Sequence, residues 1–425
     1  MPVFGYNDGR YCAEDVPIRR IAEYCGTPFY CYSQTGIESA YASYLAAFEH
    51  CDLLICYAVK ANSNQSIIGL LGALGAGADV ISEGELRRAL AAGIPGEKIV
   101  YSGVAKTVAE IEFALQSDIH QFNVESEPEL RQISAAAVRL GKKANVAFRI
   151  NPDVDALTHE KISTGKSENK FGIPWQSARK AYSDAAGLPG INVCGIDIHI
   201  GSQIMELDPY QRAFARVAEM VEQLRSDGHT ISRIDLGGGL GINYEAANDC
   251  APTPAQYAAV VDSELGHLGC SLIIEPGRSL VGHAGVLVGS VIYVKHGSQS
   301  TFLIIDAAMN DFLRPSMYSA HHHISGERDG NQSTQFYDIV GPVCETGDTF
   351  ARSRELPLQN PGNLIIIEGA GAYGSVMAST YNTRCLVPEV LVDGDEFRVI
   401  RERPSYDSLI GLDVPWDVVG INNCL

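Results

Sequence analysis

Three segments of this sequence place a chemically capable side chain directly after a short apolar run. Lys60 follows Leu53–Val59, His199 lies between two isoleucines, and Glu275 opens a Glu-Pro-Gly-Arg turn that ends at Arg278. A desolvated lysine can have its pKa lowered enough to form a Schiff base with an aldehyde cofactor. A histidine with small or polar neighbours can face a planar ligand. A carboxylate can keep a pyridine nitrogen protonated, and a guanidinium offers a planar fork to a carboxylate or phosphate.

A glycine-rich segment suggests a phosphate site. The strand-like run Arg233–Leu236 continues into residues 237–241, where four of five residues are glycine. Glycines after a strand let backbone N–H groups approach a phosphate closely, whereas so many glycines without a ligand would destabilise the junction. No Lys-Ser or Lys-Thr pair follows, so the segment is not a nucleotide P-loop. We favour phosphate over a merely flexible loop.

The last third of the chain adds a second group of polar side chains. Arg314 and Tyr318 could together hold a carboxylate, and Cys344 and Glu345 lie in a loop bounded by glycine and proline. Residues 321–323 are three adjacent histidines, which point in different directions, so we assign no metal to them. The eleven cysteines contain no Cys-x-x-Cys pair, and we predict no metal site.

One glycine motif has a competing interpretation. Residues 369–374 read Gly-Ala-Gly-Ala-Tyr-Gly after the apolar run Leu364–Ile367 and match the dinucleotide pattern G-x-G-x-x-G. A dinucleotide fold needs a helix and a further strand after this motif, and prolines at 388, 404 and 415 interrupt the remaining sequence. An NAD-dependent oxidoreductase is therefore the weaker alternative.

The elements that position these residues alternate between strand and helix from residue 27 to 278. Short β-branched or aromatic runs are followed by stretches with helical spacing, which indicates βαβ units and a parallel sheet. We predict strands over Phe29–Tyr32, Leu53–Val59, Asp79–Ile81, Ile99–Ser102, Gln121–Val124, Val146–Ile150, Gly195–Ile200, Arg233–Leu236 and Leu272–Glu275. We predict helices over Gly36–Glu49, Gln65–Leu74, Gly84–Ala92, Val108–Gln116, Glu127–Leu140, Trp175–Ala185, Pro209–Arg225 and Pro254–Leu268.

The last eight of these strands are the number that closes a (β/α)8 barrel, in which the carboxyl ends of the strands face the active site. A doubly wound open sheet remains an alternative. After Arg278, strand-like runs separated by turn residues are typical of an antiparallel β domain, which the first strand could join. We predict an α/β plus β fold, with a (β/α)8 TIM-type barrel over 34–280 and a second antiparallel β domain formed by both chain ends, 1–33 and 281–425.

Composition limits the partners and the location. The chain has 32 Lys and Arg against 51 Asp and Glu, a net charge of −19, which argues against non-specific binding to nucleic acid or to an anionic membrane. The apolar runs are far shorter than the roughly 20 residues that span a bilayer. The first fifteen residues lack the pattern of a secretory signal, and the cysteines are scattered, so we expect a cytoplasmic enzyme.

Taken together, the motifs resemble the fold type III pyridoxal-phosphate decarboxylases, whose barrel and β domain are like those of alanine racemase, and within them the diaminopimelate decarboxylase family. The matching segments cover nearly the whole chain in family order. They are GTPFY at 26–30, YAVKAN at 57–62, GADVIS at 77–82, HIGSQ at 199–203, GGGL at 237–240, EPGR at 275–278, MND at 309–311, RPSMY at 314–318, CETGD at 344–348 and GAYG at 371–374.

The resemblance implies pyridoxal-phosphate-dependent decarboxylation of meso-2,6-diaminopimelate to L-lysine, the last step of lysine biosynthesis. Its implied catalytic residues are Lys60, which holds the cofactor, His199, which packs on the cofactor ring, and Cys344, the general acid. The implied cofactor-binding residues are Lys60, His199, Ser202, Gly238, Gly239, Glu275, Gly277, Arg278 and Tyr373. The implied substrate-binding residues are Arg278, Arg314, Tyr318, Glu345 and Tyr373.

Two arginines suit a substrate with a second carboxylate, which favours diaminopimelate. The alternatives are other decarboxylases of the same fold type, acting on ornithine, lysine or carboxynorspermidine. The resemblance also implies a homodimer with shared active sites, in which the loop that contains Cys344 is supplied by the partner chain.

Overall fold

The chain begins with a small antiparallel sheet that precedes the barrel. The computed structural model describes residues 3–156, 170–245, 251–329 and 333–414. Its first elements are β1 (Phe4–Asn7), β2 (Arg10–Ala13), β3 (Val16–Pro17), α1 (Ile18–Cys25) and β4 (Phe29–Ser33). Apolar side chains of the first sheet and of α1 pack against those of β4 in one cluster. This packing ties the beginning of the chain to the second sheet described below.

Eight parallel strands then form a closed barrel. The elements of this region are α2 (Gln34–Ala47), β5 (Leu53–Ala58), α3 (Gln65–Ala73), β6 (Gly77–Val80), α4 (Glu83–Ala91), β7 (Ile99–Tyr101), α5 (Val108–Gln116), β8 (Gln121–Val124), α6 (Glu127–Leu140), β9 (Ala144–Asn151), β10 (Ile173–Pro174), α7 (Ala178–Ala186), β11 (Ile191–Asp197), α8 (Asp208–Ser226), β12 (Arg233–Asp235), α9 (Pro254–Leu265), β13 (Ser271–Ile274) and α10 (Arg278–Val281). The ring runs β5, β6, β7, β8, β9, β11, β12, β13, and β13 pairs with β5. The barrel prediction is confirmed, and the doubly wound alternative is wrong because β8 pairs with β9.

Side-chain caps determine where several barrel helices begin. Thr107 and Glu110 form a reciprocal capping box at the start of α5, and Thr253 and Gln256 form another at the start of α9. Each box satisfies backbone N–H groups that the first helical turn leaves without partners. The βα loops therefore end at defined residues.

A second, mostly antiparallel sheet follows the barrel. Its elements are β14 (Gly285–His296), β15 (Thr301–Ile305), α11 (Arg314–Tyr318), β16 (Ile324–Gly326), β17 (Thr334–Val340), β18 (Thr349–Pro357), β19 (Leu364–Ile367), β20 (Glu389–Asp393), β21 (Glu396–Arg401) and α12 (Tyr406–Ile410). The long strand β14 pairs antiparallel with β4, β15 and β19. The predicted union of both chain ends is thus confirmed. Two pairs, β15 with β17 and β4 with β20, are parallel rather than antiparallel.

Two local differences from the sequence-based expectation affect the site. The strand predicted over Gly195–Ile200 is β11, which ends at Asp197, so His199 lies in the loop after the strand rather than within it. The motif at 369–374 is followed by two short 3-10 turns, Ser375–Met377 and Tyr381–Thr383, rather than by a helix, and the preceding β19 pairs antiparallel, so the dinucleotide interpretation is wrong. The proposed domain boundaries remain a prediction. Among the described residues, no helix combines the length and apolar character needed to cross a membrane.

Candidate active site

A cavity of about 340 Å³ opens where the loops after β11, β12 and β13 meet the second sheet. It receives side chains from both parts of the molecule. Its lining includes Ser202, Tyr244, Arg278, Arg314, Tyr318 and Tyr373. Five of these six were candidate site residues from the sequence, and only Tyr244 was not.

Lys60 follows β5 in a one-turn 3-10 helix, and its Nζ donates to Oδ2 of the fully buried Asp79 at the end of β6. Burial favours the neutral amine, but the carboxylates of Asp79 and Glu275 outweigh it and raise the pKa of Lys60. The expectation of a lowered pKa is therefore wrong in sign for the cofactor-free chain. The reason is a carboxylate on the neighbouring strand, which the local sequence around Lys60 does not show.

Glu275 follows β13 among other buried acidic groups. Its Oε1 accepts hydrogen bonds from Asn123 Nδ2 at 3.3 Å and Ser102 Oγ at 3.4 Å. Carboxylate oxygens of Glu275, Asp197 and Asp235 lie within 4.8 Å of one another. Burial first, and then Asp235, raise the pKa of Glu275. A protonated ring nitrogen beside this group would compensate that crowding of negative charge, so the site fits a pyridinium.

The glycine-rich loop after β12 packs closely against the neighbouring backbone and contacts His199. Gly238 N donates to His199 Nδ1 at 3.2 Å, so the hydrogen of a neutral ring lies on Nε2. Burial, followed by Arg149 and Lys60, lowers the pKa of His199 and keeps the ring neutral. A Cβ at Gly238 would lie 2.3 Å from the carbonyl oxygen of Glu275, and the loop admits no side chain there. A close backbone approach of this kind fits an anionic group such as phosphate.

Arg278 links the loops after β11 and β12 through two hydrogen bonds. Its Nη2 donates to Ser202 Oγ at 3.0 Å and its Nη1 to Tyr244 Oη at 2.7 Å. The adjacent Gly277 packs so closely that a Cβ would lie 3.0 Å from the Cβ atoms of Ala58 and Ala61, which border the Lys60 turn. Ser202, Gly277 and Arg278, three of the candidate cofactor-binding residues, therefore lie together.

Two buried guanidinium groups share this cavity. Arg278 and Arg314 are each 6% exposed, and within the described chain no acidic side chain lies within 4 Å of either. Aromatic rings accompany them: Arg278 lies 4.7 Å from the ring centre of Tyr373 and Arg314 lies 4.8 Å from that of Tyr244. Buried charge without a counter-ion is costly. The pair is therefore suited to bind an anionic ligand group.

Tyr373 has an unusual backbone at the cavity wall. Its φ is +54°, in the left-handed region that favours glycine, and its N–H donates to the carbonyl oxygen of Ala61 at 2.8 Å. Strained backbone of this kind clusters at ligand sites. The hydrogen bond joins the loop after β19 to the Lys60 turn, so this turn lies directly beside the cavity wall.

Cys344 and Glu345 are not brought to this cavity. Both side chains are exposed in a loop on the second sheet, and Glu345 accepts a hydrogen bond from Tyr381. The loop has a defined shape because the buried Asp348 carboxylate accepts from the N–H groups of Met309 and Val343, both at 2.7 Å. Within a single chain these two candidate residues lie apart from the rest.

Sequence reasoning assigned no role to Asp79 or Tyr244, which the structure places in the site. Asp79 had a signal, because it is an acidic residue in the otherwise apolar start of a strand and part of a quoted motif. Tyr244 had none, because it lies in an irregular loop after β12 and its importance depends on contacts with Arg278 and Arg314.

Comparisons with known proteins show which family this chain resembles. Residues 32–282 match the family model of the pyridoxal-dependent decarboxylase, pyridoxal binding domain. The chain is 48% identical over 394 residues to a diaminopimelate decarboxylase of Neisseria meningitidis, covering 93% of this chain and 96% of the relative. Two similar solved structures are diaminopimelate decarboxylases in complex with L-lysine. The one from Helicobacter pylori has a TM-score of 0.89 and 42% identity, covering 93% of this chain and 98% of that chain. The one from M. jannaschii has a TM-score of 0.93 and 39% identity, with coverage of 97% and 98%.

Proposed function

This chain belongs to the pyridoxal-dependent decarboxylase family, and within it to the diaminopimelate decarboxylases, and we propose that it releases carbon dioxide from meso-2,6-diaminopimelate and leaves L-lysine. The observation that carries this proposal is the pair of buried arginines, Arg278 and Arg314, in the cavity beside the Lys60 turn. Diaminopimelate retains one carboxylate after the other leaves. Ornithine and lysine offer no second carboxylate to such a pair.

The cofactor is pyridoxal phosphate, and the donor set at the carboxyl end of the barrel fits it. Glu275, which is buried next to other carboxyl groups, suits a pyridinium. The closely packed backbone at Gly238 suits a phosphate, and the amine of Lys60 suits an aldehyde. We propose that the residues that hold it are Lys60, His199, Ser202, Gly238, Gly239, Glu275, Gly277, Arg278 and Tyr373. When bound, this cofactor supplies a carbonyl that takes the substrate amine and a ring that accepts the electron pair of the broken Cα–carboxylate bond.

Asp79 is placed to exchange a proton with Lys60. An amine must be neutral to react, whereas Asp79 favours the protonated form of Lys60. Because Lys60 Nζ already donates to Asp79 Oδ2, that oxygen can accept the proton directly. Glu275 would stabilise positive charge on the ring nitrogen, and the neutral His199 would present its flat ring without adding a competing charge.

The arginine pair would select which end of the substrate reacts. The two ends of diaminopimelate carry the same functional groups and differ in configuration. If Arg278 and Arg314 bind one carboxylate, with Tyr318 and Tyr373 beside them, the other amino acid centre is directed to the Lys60 turn. The retained carboxylate is then the one that L-lysine keeps.

We propose a homodimer in which Cys344 and Glu345 complete the active site of the partner subunit. Both are exposed and lie outside the cavity of their own chain, and Tyr381 beside them is 46% exposed. Across a two-fold axis, one chain's loop can reach the other chain's cavity while the reverse contact forms symmetrically. There Cys344 would protonate Cα, and Glu345 would bind the distal amino group.

We also propose a cytoplasmic location. The nine cysteines within the described ranges are all free, which fits a reducing compartment. Biosynthesis of lysine from a small soluble substrate fits the same place.

A substrate panel tests the proposed function. Purified protein loaded with pyridoxal phosphate would receive meso-diaminopimelate, L-lysine or L-ornithine, and the released carbon dioxide and amine products would be quantified. We expect equal amounts of carbon dioxide and L-lysine from diaminopimelate, and a kcat/KM about a hundredfold lower for the other two, because each lacks charge-assisted hydrogen bonds to the arginine pair. Comparable formation of cadaverine or putrescine would contradict the assignment.

A further inference from the structure

His322 is the buried member of three adjacent histidines. It is 2% exposed, whereas His321 is exposed and His323 is half-buried. It follows α11, the short helix that begins with Arg314, and precedes β16. A buried imidazole needs partners for both ring nitrogens, and these partners define its role.

The two hydrogen bonds of His322 fix its tautomer. Nδ1 lies 2.8 Å from the carbonyl oxygen of Glu368, and Nε2 lies 3.2 Å from Arg314 Nε. A carbonyl oxygen only accepts, so Nδ1 carries the hydrogen, and an arginine only donates, so Nε2 has the free lone pair. The ring is therefore neutral and links the backbone at the end of β19 to the guanidinium of Arg314. Burial and the neighbouring Arg314 lower the pKa of His322 to about 3, which agrees with this geometry.

Packing holds the imidazole in this orientation. The ring lies between two aromatic side chains in edge-to-face contacts, with centroid distances of 4.8 Å to Tyr244 and 4.7 Å to Phe312. Behind it, a Cβ at Gly369 would lie 3.1 Å from the ring of Tyr244 and 3.7 Å from His322 Nδ1. Rotation of His322 would break both hydrogen bonds and displace Tyr244.

This arrangement determines how Arg314 can bind a ligand. Its Nε hydrogen is donated to His322, so a carboxylate must be bound by the two terminal nitrogens, Nη1 and Nη2. Tyr244 contacts the guanidinium of Arg314 with its ring and the guanidinium of Arg278 through its hydroxyl. The imidazole therefore supports the orientation of one arginine directly and of the second through Tyr244.

We propose that His322 is a positioning residue that orients Arg314 toward the retained carboxylate of the substrate and thereby contributes to selection of a dicarboxylate substrate. This inference rests on the proposed function, because it takes the ligand of Arg314 to be that carboxylate.

A pair of substitutions separates the two hydrogen bonds of His322. In His322→Asn the amide can still donate to the Glu368 carbonyl but does not reach Arg314. In His322→Gln the longer side chain can present an oxygen to Arg314 Nε. His323→Asn is the matched control, because the same change is made at the adjacent half-buried residue.

The readouts are the split between KM and kcat and the inhibition by two product-like ligands. L-lysine carries the retained carboxylate, and cadaverine is the same diamine chain without it. We expect His322→Asn to raise KM for meso-diaminopimelate and the inhibition constant of L-lysine about tenfold, since a hydrogen bond to a charged group is lost, with kcat changed less than about threefold. Cadaverine inhibition should be unchanged, His322→Gln should recover most of the loss, and His323→Asn should match wild type.

Equal weakening of L-lysine and cadaverine, or equal defects in the Asn and Gln variants, would overturn the proposal. A measurement on the wild-type holoenzyme covers the case in which the variants fail to fold. Long-range nitrogen–proton NMR correlations should show His322 as the Nδ1–H tautomer, without titration between pH 6 and 9, and an Nε2–H tautomer would overturn the proposal. This measurement needs no turnover, so a failure to decarboxylate diaminopimelate would refute the proposed function without deciding the role of His322.

Discussion

Pairing two inactive variants tests whether each active site contains residues of both chains. Lys60 lies at the end of the barrel, whereas Cys344 is exposed on a loop of the second sheet, outside the cavity of its own chain. If sites are shared, a dimer of a Lys60→Ala chain and a Cys344→Ala chain has one site with both lesions and one with neither. Such isolated mixed dimers should have about half of wild-type activity, and an unfractionated equal mixture about a quarter, as two-fold symmetry requires.

The assay uses two affinity tags. The chains would be unfolded, mixed, refolded with pyridoxal phosphate and purified on both tags in succession, so that only mixed dimers are measured. The matched control pairs a wild-type chain with a chain that carries both substitutions. With shared sites every site of that control dimer has one lesion, and it should be nearly inactive.

The alternative gives the opposite pattern. If Lys60 and Cys344 act within one chain, the mixed dimer of single variants is inactive and the control dimer has about half of wild-type activity. That result would refute the proposed shared site. Mixed wild-type chains with the two tags confirm that refolding itself restores activity.

Three further changes have expected results. Arg314→Ala should raise KM for meso-diaminopimelate about ten- to a hundredfold, since charge-assisted hydrogen bonds are lost, and an equal loss of the minor activity on L-lysine would contradict that role. Asp79→Asn removes the carboxylate that keeps Lys60 protonated against the opposing effect of burial. Covalent uptake of pyridoxal phosphate by the cofactor-free variant, measured by stopped-flow absorbance, should therefore occur at lower pH than in wild type. An unchanged pH profile would contradict this expectation. Burial and then Glu275 raise the pKa of Asp197, so the folded chain loses stability as pH rises above about 4, the value of an unfolded aspartate. Asp197→Asn should therefore stabilise the cofactor-free chain increasingly as pH rises, in denaturant titrations from pH 5 to 8. The same gain at every pH, or an equal gain for the exposed Asp52→Asn, would contradict it.

The barrel could be predicted because its signals are local. The helices predicted at Val108–Gln116 and Glu127–Leu140, and the strand Gln121–Val124 between them, agree with the structure residue for residue. A capping box opens the first helix and a left-handed Gly141 ends the second, and both depend on residues close in sequence. The count of eight strands then favoured closure of the barrel.

Other features depend on contacts that a single segment does not contain. The sequence of β18 does not predict a strand, because exposed charged residues interrupt its apolar pattern, and the strand forms by pairing with β17. The raised pKa of Lys60 depends on Asp79 from the next strand, and the role of His322 depends on Arg314 and on a carbonyl 46 residues later. The candidate site residues could be named from motifs, but their electrostatics required the packed barrel.

The most direct test of the site is to locate the bound cofactor on the chain. Purified wild-type enzyme would be reduced with borohydride, digested and analysed by mass spectrometry, with Lys60→Ala treated in parallel. We predict loss of the visible absorption band and one pyridoxyl group per chain on the peptide that contains Lys60, with none retained by the variant. A pyridoxyl group on another lysine, or cofactor that remains removable after reduction, would contradict the assignment of the barrel end as the active site.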